Sequence, residues 1–427
     1  MTAAERLKNF STTPRILGVD LARGLAVLGM FGAHIGVTKD VDLSQPSTWL
    51  GVVHGNSSIL FALIAGVSIA ILSGGSRPLS GVELLQARTR IFARAALIFA
   101  IGGLLQLLGT NVLVILPVYA LLFVLSLPFL RWRSRYLFLL AAALAVVSPL
   151  LLLFYSTVTS GIYLQTSAIL ELFVTGAYPG VVWIVFLLVG LGIGRLDLTS
   201  VKVAARVAVA GLILALAGFG LGSVAQAALA PVPDATSQQS NETPASNLTD
   251  IVDGSEAELD NKDCEIYSDG IVYCYPYDYF ESVAVTGDDS PIDDLAVLAT
   301  ASPHSGSPFE IVGSTGFALL VLGLSLLVLR IARWVRWVLY PLIAVGAMAL
   351  TAYSLHLVAL AIIGQDAYIQ VDNSLYLLFV IITLIGCTAW TIAYGRGPLE
   401  RLLSWVSRRA ARLTPKLDPT PEPIEKV

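Results

Sequence analysis

One apolar run near the N-terminus, residues 16–36, contains three ionisable side chains, Asp20, Arg23 and His34. In a helix at about 100° per residue, the step from Arg23 to His34 returns to within about 20° of the same face, and Asp20 falls on that face too. Each such group costs at least ~2.5–3.5 kcal/mol inside a bilayer, so a polar stripe there is a candidate site. Imidazole suits proton transfer near neutrality, which makes His34 a candidate base with Asp20 beside it, while Arg23 offers a fixed positive charge to a ligand. The plainer reading is a structural Asp20–Arg23 ion pair, with His34 capping the helix at the headgroup layer. The chain has four histidines, His34, His54, His304 and His356. Arg90 and Arg94 lie four apart on one helical face, and Arg131, Arg133 and Arg135 follow as a cluster. These arginines read either as orientation signals touching anionic lipid or as a clamp for the phosphates of a nucleotide-like ligand. A Walker-type loop, a metal-ligand triad and a nucleophile elbow are all missing from the sequence, so ATP-driven transport and serine-hydrolase chemistry have no basis in it.

The elements that must carry these residues follow from composition. Of 427 residues, 56% are hydrophobic and 13% charged, which excludes a cytosolic enzyme, a disordered chain and a nucleic-acid binder. A bilayer core about 30 Å thick asks for about 20 apolar residues per helix. Such stretches lie near 16–36, 55–75, 91–108, 111–130, 136–154, 179–194, 203–229, 310–329, 337–362 and 374–395. The shorter run 165–175, with Glu171 inside it, reads as an amphipathic or re-entrant piece. The first stretch reads as a retained span rather than a signal peptide, since it carries Asp20 and Arg23 and lacks a small-residue cleavage site. Lys and Arg concentrate in alternate loops, and the other set holds only Lys39 and Lys262. The expected fold class is therefore an all-α integral membrane bundle of about 10 transmembrane helices, with cytoplasmic N- and C-termini and one large outer loop. That topology puts all four histidines at or near the outer boundary and the arginine clusters on the inner one.

The expected division is a membrane core with spans 1–7 over 1–230, an acidic extracytoplasmic loop over 231–309, spans 8–10 over 310–395, and a basic, then Pro-rich cytoplasmic tail over 396–427. The net charge of −4 conceals the loop: residues 231–310 hold seventeen of the thirty carboxylates and one of the twenty-six basic residues. Residues 235–253 are Ser/Thr/Asn/Pro-rich and read as a disordered linker. Beyond them Tyr267, Tyr273, Tyr275, Tyr277, Tyr279 and Phe280 surround Cys264 and Cys274, which can form a disulfide in an oxidising exterior. The segment reads as a stapled hairpin or as an aromatic platform for carbohydrate. Cys387, inside the last span, reads as a small buried hydrophobe.

The stretch Gly18-Val-Asp-Leu-Ala-Arg-Gly-Leu-Ala-Val-Leu-Gly-Met30, running on to His34, resembles the opening of YeiB-type membrane proteins and of the wider transmembrane acyltransferase superfamily. That superfamily includes acyltransferase family 3, whose signature the Arg23-x10-His34 spacing resembles, and the lysosomal heparan-α-glucosaminide N-acetyltransferase. Similar stretches are His54-Gly-Asn-Ser-Ser-Ile-Leu-Phe-Ala-Leu-Ile-Ala-Gly66, Pro303-His-Ser-Gly-Ser-Pro308, Ala349-Leu-Thr-Ala-Tyr353 running to His356, and Gly397-Pro-Leu-Glu400. The resemblance covers nearly all of the membrane part but neither the acidic loop nor the tail.

It implies an enzyme of the bacterial plasma membrane that takes an acyl group, typically acetyl, from cytoplasmic acyl-CoA and delivers it to a hydroxyl or amine of an extracytoplasmic glycan or glycolipid. Carried over by motif, Arg23 contacts the donor and His34 is the base or acyl relay; beside the resemblance, the inner arginines Arg90 and Arg94 could anchor the donor phosphates. The lysosomal enzyme departs from this chain in having Asn where His34 stands and its reactive histidine in the first outer loop, where this chain offers His54. His304, His356 and Tyr353 would then orient the acceptor or stabilise the oxyanion. Acyl-CoA, the acceptor and membrane lipids are the expected partners; nucleic acid is not one, and a homodimer is left open. The alternative is a secondary transporter or flippase of an envelope precursor, which would also place Asp, Arg and His within the membrane.

Overall fold

A computed structural model of the chain describes residues 16–38, 41, 44–159, 167–229, 298–364 and 373–412, together with the backbone of 262–266 and 272–276. Its contacts divide it into two units, Met1–Val224 with Leu298–Val427, and Ala225–Val297. The Pro-rich end of the tail, the 235–253 linker and Tyr267, Tyr277, Tyr279 and Phe280 lie outside the described residues.

The first unit is helical. In chain order it contains α1 (Leu17–Ile35), α2 (Asn56–Leu72), α3 (Gly81–Gln106), α4 (Leu116–Leu125), α5 (Ser134–Thr159), α6 (Gly180–Ile193), α7 (Val201–Leu229), α8 (Pro308–Val328), α9 (Tyr340–Ala347), α10 (Ala349–Ile363), α11 (Ser374–Tyr394) and α12 (Pro398–Arg412). Each expected apolar stretch is helical along most of its length. Among the described residues six helices are long and apolar enough to cross a membrane, or up to nine spans if each of three bent pairs counts as one; α4 is shorter. Helices α1, α2, α6 and α8 form the buried centre, with α2 against α6 and α1 against α9 as the most extensive packings. Helices α3, α5, α7 and α11 turn leucine, isoleucine, valine and phenylalanine side chains outward, as lipid-facing helices do.

The run 165–175 ends in a one-turn helix, Ala168–Leu170, that continues as the π-turn Glu171–Thr175 and meets α6 at a 60° bend. The ninth stretch is not the continuous span that its hydropathy predicts. Helices α9 and α10 meet at Met348 with an 84° bend. A broken helix is stable at membrane depth only where its freed backbone groups find partners. The Arg23 guanidinium donates to the Gly346 carbonyl at the end of α9 (3.2 Å), and Glu400 accepts from the Thr351 N–H in the first turn of α10 (3.0 Å) and from its hydroxyl (2.6 Å). A cation at a helix C-terminus and an anion at an N-terminus both suit the helix dipole. Two glycines bring α1 close enough for this: Gly24 lies against the Leu342 carbonyl and Gly346 against the Asp20 carbonyl, so a Cβ at either would strike backbone.

Elsewhere, buried Arg195 ties three segments together. Its guanidinium donates to the carbonyls of Ala70 (3.1 Å), Gly75 (2.8 Å) and Leu130 and to the Ser73 hydroxyl (2.8 Å), closing the C-terminal end of α2.

The second unit contains an antiparallel hairpin, β1 (Lys262–Ile266) and β2 (Val272–Pro276), whose register sets Cys264 directly opposite Cys274.

Candidate functional site

Among the described residues, two neighbouring cavities of the helical unit hold candidate residues of the first span. The larger, about 500 Å³, is lined by Arg23 and Ser68, by Arg94 of α3, by Tyr119 of α4, by residues on both sides of the α9–α10 break and by Arg396, Glu400 and Ser404. The smaller, about 330 Å³, is lined by His34, His54, Ser57, Asn111, Tyr178 and His304 among others. Met30, Ile115 and Tyr353 line both. All three are buried, and they form the wall between the cavities.

The stripe read from the first span is present and divides between the two chambers. Arg23 faces the larger cavity, held by Asp20 (2.7 Å), Ser68 Oγ (2.7 Å) and the Gly346 carbonyl. Asp20 lines neither cavity; it is buried behind Arg23 and positions the guanidinium. Four more arginines, Arg23, Arg90, Arg396 and Arg408, lie within electrostatic reach of Arg94, and the buried Arg94 Nε has no hydrogen-bond partner among the described residues. Arg90 adds charge to this end without lining the cavity. Arg23, Arg94 and Arg396 thus line one chamber together with Glu400, which caps the α10 N-terminus there.

His34 lines the smaller cavity, and behind it lies His356, buried and outside both cavities. The two imidazoles are nearly parallel with centroids 5.1 Å apart, His34 Nδ1 lies 2.9 Å from His356 Nε2, and His356 Nδ1 is 2.5 Å from the Tyr353 carbonyl. A carbonyl only accepts, which fixes the tautomers in sequence. His356 carries its proton on Nδ1 and leaves Nε2 as an acceptor; His34 then donates from Nδ1. The lone pair of His34 is therefore on Nε2, the nitrogen with no hydrogen-bond partner among the described residues. His356, expected from the sequence to face the acceptor, is hydrogen-bonded to His34 and lines neither cavity.

Tyr353 lines both cavities. Its ring lies 6.4 Å from His34, and its buried hydroxyl has no hydrogen-bond partner of good geometry, facing the backbone of Ile115 at the wall between the cavities. An unpaired hydroxyl at such a point is available to a ligand.

A second histidine pair, His54 and His304, sits across the smaller cavity with ring centroids 5.8 Å apart and Tyr178 5.5 Å from His304. His304 has a left-handed backbone, φ 65°, uncommon for a residue other than glycine. Buried Glu310 holds it there, accepting from the backbone N–H of His304 (2.6 Å) and of Gly306 (2.6 Å) and from Ser305 Oγ (3.2 Å). Enclosure by the surrounding protein, and then neighbouring His54, lowers the His304 imidazole below its usual range although one edge is open to the cavity.

Sequence reasoning missed Glu310, Ser68, Tyr119, Asn111 and Arg396 as site residues, and gave Glu400 no role. Glu310 had a signal, a carboxylate at the very start of the apolar stretch 310–329. Arg396 and Glu400 were read as the start of a tail, whereas α12 packs along α3 and floors the larger cavity. Groups of three or more side chains able to hold a metal do not occur among the described residues.

Residues 15–224 match the family model described as heparan-alpha-glucosaminide N-acetyltransferase, catalytic. Residues 295–410 match the model described as protein of unknown function (DUF418). No curated protein and no solved structure matches the chain. Each cavity draws residues from both matched segments: Arg23 and Arg94 with Arg396 and Glu400 below, His34 and His54 with His304 above.

Proposed function

The chain belongs to the heparan-α-glucosaminide N-acetyltransferase-like, YeiB-type proteins, and from that premise we propose that it is a multi-pass membrane acyltransferase moving an acetyl group from cytoplasmic acyl-CoA to a hydroxyl or amine of an extracytoplasmic glycan or glycolipid. The observation that carries the reading is the pair of cavities meeting at Tyr353, one arginine-rich and the other histidine-lined. In the topology that goes with it the six long helices, the three bent pairs and α4 make ten spans, both termini are cytoplasmic, and Cys264 and Cys274 form an exterior disulfide.

In this scheme Arg23, Arg94 and Arg396, with Arg90 nearby, hold the donor phosphates, as guanidinium forks suit phosphate oxygens. The thioester would rest at the Met30–Ile115–Tyr353 wall. His34 Nε2 takes the proton from the acceptor as its oxygen or nitrogen attacks the thioester carbon, and the Tyr353 hydroxyl donates to the developing oxyanion. The new C–O or C–N bond forms, the C–S bond breaks, and His34 returns the proton to the departing thiolate. His54 and His304 orient the acceptor. Single-turnover assays with labelled acetyl-CoA test the scheme: His34→Ala should slow transfer by about 10²-fold or more, and a wild-type rate in that variant would refute the assignment.

The α9–α10 break also favours a second reading, a secondary transporter, because such carriers bind substrate at broken helices. Acetyl-CoA discriminates the two readings. It should raise the Tm of the purified acyltransferase, and the transporter reading gives no reason for that rise.

A further inference from the structure

A third concavity belongs to neither of the chambers above. It is a slot of about 500 Å³ between α5, α6, α7 and α8, lined by Phe138, Ala145, Val189, Ala210, Leu214 and other apolar side chains. Only two of its lining residues are polar, Arg206 and Thr315. Arg206 is at one end and makes no hydrogen bond or ion pair among the described residues. Lys202, four residues earlier on α7, falls on the same helical face one turn further out and adds a second cation there. Thr315 is 7% exposed, and its hydroxyl has no partner among the described residues. Its neighbour Gly316 packs against Ala215 of α7. Thr315 is therefore level with residue 215, roughly 12–14 Å along the helix axis from Arg206 at about 1.5 Å per residue.

A concave apolar slot with a cationic end has the form of a lipid site rather than of a helix-packing face, which is convex and uncharged. Free phosphate would meet Arg206 but leave the slot empty, and a neutral lipid would fill the slot but leave both cations unpaired. We propose that this slot binds an anionic phospholipid, its phosphate held by Arg206 and Lys202 and one acyl chain lying between α5 and α7 toward Thr315. Charge complementarity selects the head, and the four-helix slot selects the chain. The site would join α7 and α8 to α5 and α6 through a lipid. It depends on the chain being embedded in a membrane and not on the acyltransferase reading.

Native mass spectrometry of the delipidated full chain, reloaded with equimolar phosphatidylglycerol and phosphatidylcholine, tests the site. The wild type should retain phosphatidylglycerol over phosphatidylcholine by about tenfold, because the choline cation offsets the phosphate charge of the latter and is repelled by Arg206 and Lys202. Arg206→Ala should abolish that preference, and Ala210→Trp, which blocks the chain and leaves both cations in place, should lose retention of either lipid. Circular dichroism and size exclusion verify that both variants fold. Equal retention of the two lipids by the wild type, a preference that survives Arg206→Ala, or wild-type binding in Ala210→Trp would each overturn the site. A misfolded Ala210→Trp would leave the Arg206→Ala comparison decisive.

Discussion

At the scale of single residues, the hydrogen-bond chain from the Tyr353 carbonyl through His356 to His34 makes a prediction separable from substrate binding. His356 acts through His34, so its loss should lower kcat with KM little changed. His356→Ala should cost on the order of 10²-fold in transfer rate, whereas His356→Gln, whose side-chain oxygen can take the place of Nε2 as acceptor, should keep most of it. A Gln variant as slow as the Ala variant would show that tautomer control is not the role of His356. His304 makes a different prediction. Its imidazole is lowered below 6.5 in the folded chain, so the stability tied to it is complete above about pH 6.5 and is lost as pH falls below that value. Thermal melts from pH 8 to pH 5 should show that acid limb, and His304→Asn, whose side chain tolerates a positive φ, should flatten it. An unchanged slope would remove His304 as the cause. The Arg23–His34 spacing was legible because both residues lie on one helix. The His34–His356 contact was not, because it joins residues 322 apart in sequence and depends on how α10 is turned.

At the scale of elements, apolar runs were legible wherever a helix was straight, since hydropathy reports how much of a segment avoids water. The bend at Met348 was not. Neither proline nor glycine stands at position 348, and the two groups that hold the break, Arg23 and Glu400, come from the first span and from beyond the last. The α1–α9 crossing that permits this arrangement can be tested through its glycines. Gly346→Ala would push a methyl into the Asp20 carbonyl and force the helices apart; it should lower Tm and abolish stabilisation by acetyl-CoA, because Arg23 moves with α1. Gly103→Ala, on α3 with open space where its methyl would go, should leave both unchanged or raise Tm slightly. Equal effects from the two substitutions would show that helix propensity rather than the crossing is responsible.

At the scale of the whole molecule, the two matched segments are joined through the acidic unit, yet each cavity needs both of them. The amphipathic α12 illustrates why the lower chamber was hard to read: its basic, Trp-containing sequence resembles a surface tail, and only its packing on α3 turns Glu400 and Ser404 inward. The hairpin was legible from its cysteines and flanking tyrosines, and its register, Cys264 opposite Cys274, fits a cross-strand disulfide. Maleimide labelling of denatured protein should modify one cysteine before reduction and three after it. Three labelled thiols without reductant would exclude the bridge.

The thin wall made by Met30, Ile115 and Tyr353 has a cost outside chemistry. In the proposed topology the two chambers would reach toward opposite faces of the membrane and so offer a route for ions, and those three side chains would have to hold back the electrochemical gradient while a reaction proceeds beside them. Trimming the plug, as in Met30→Gly, should make proteoliposomes leak protons, so this position faces two demands at once, insulation and turnover.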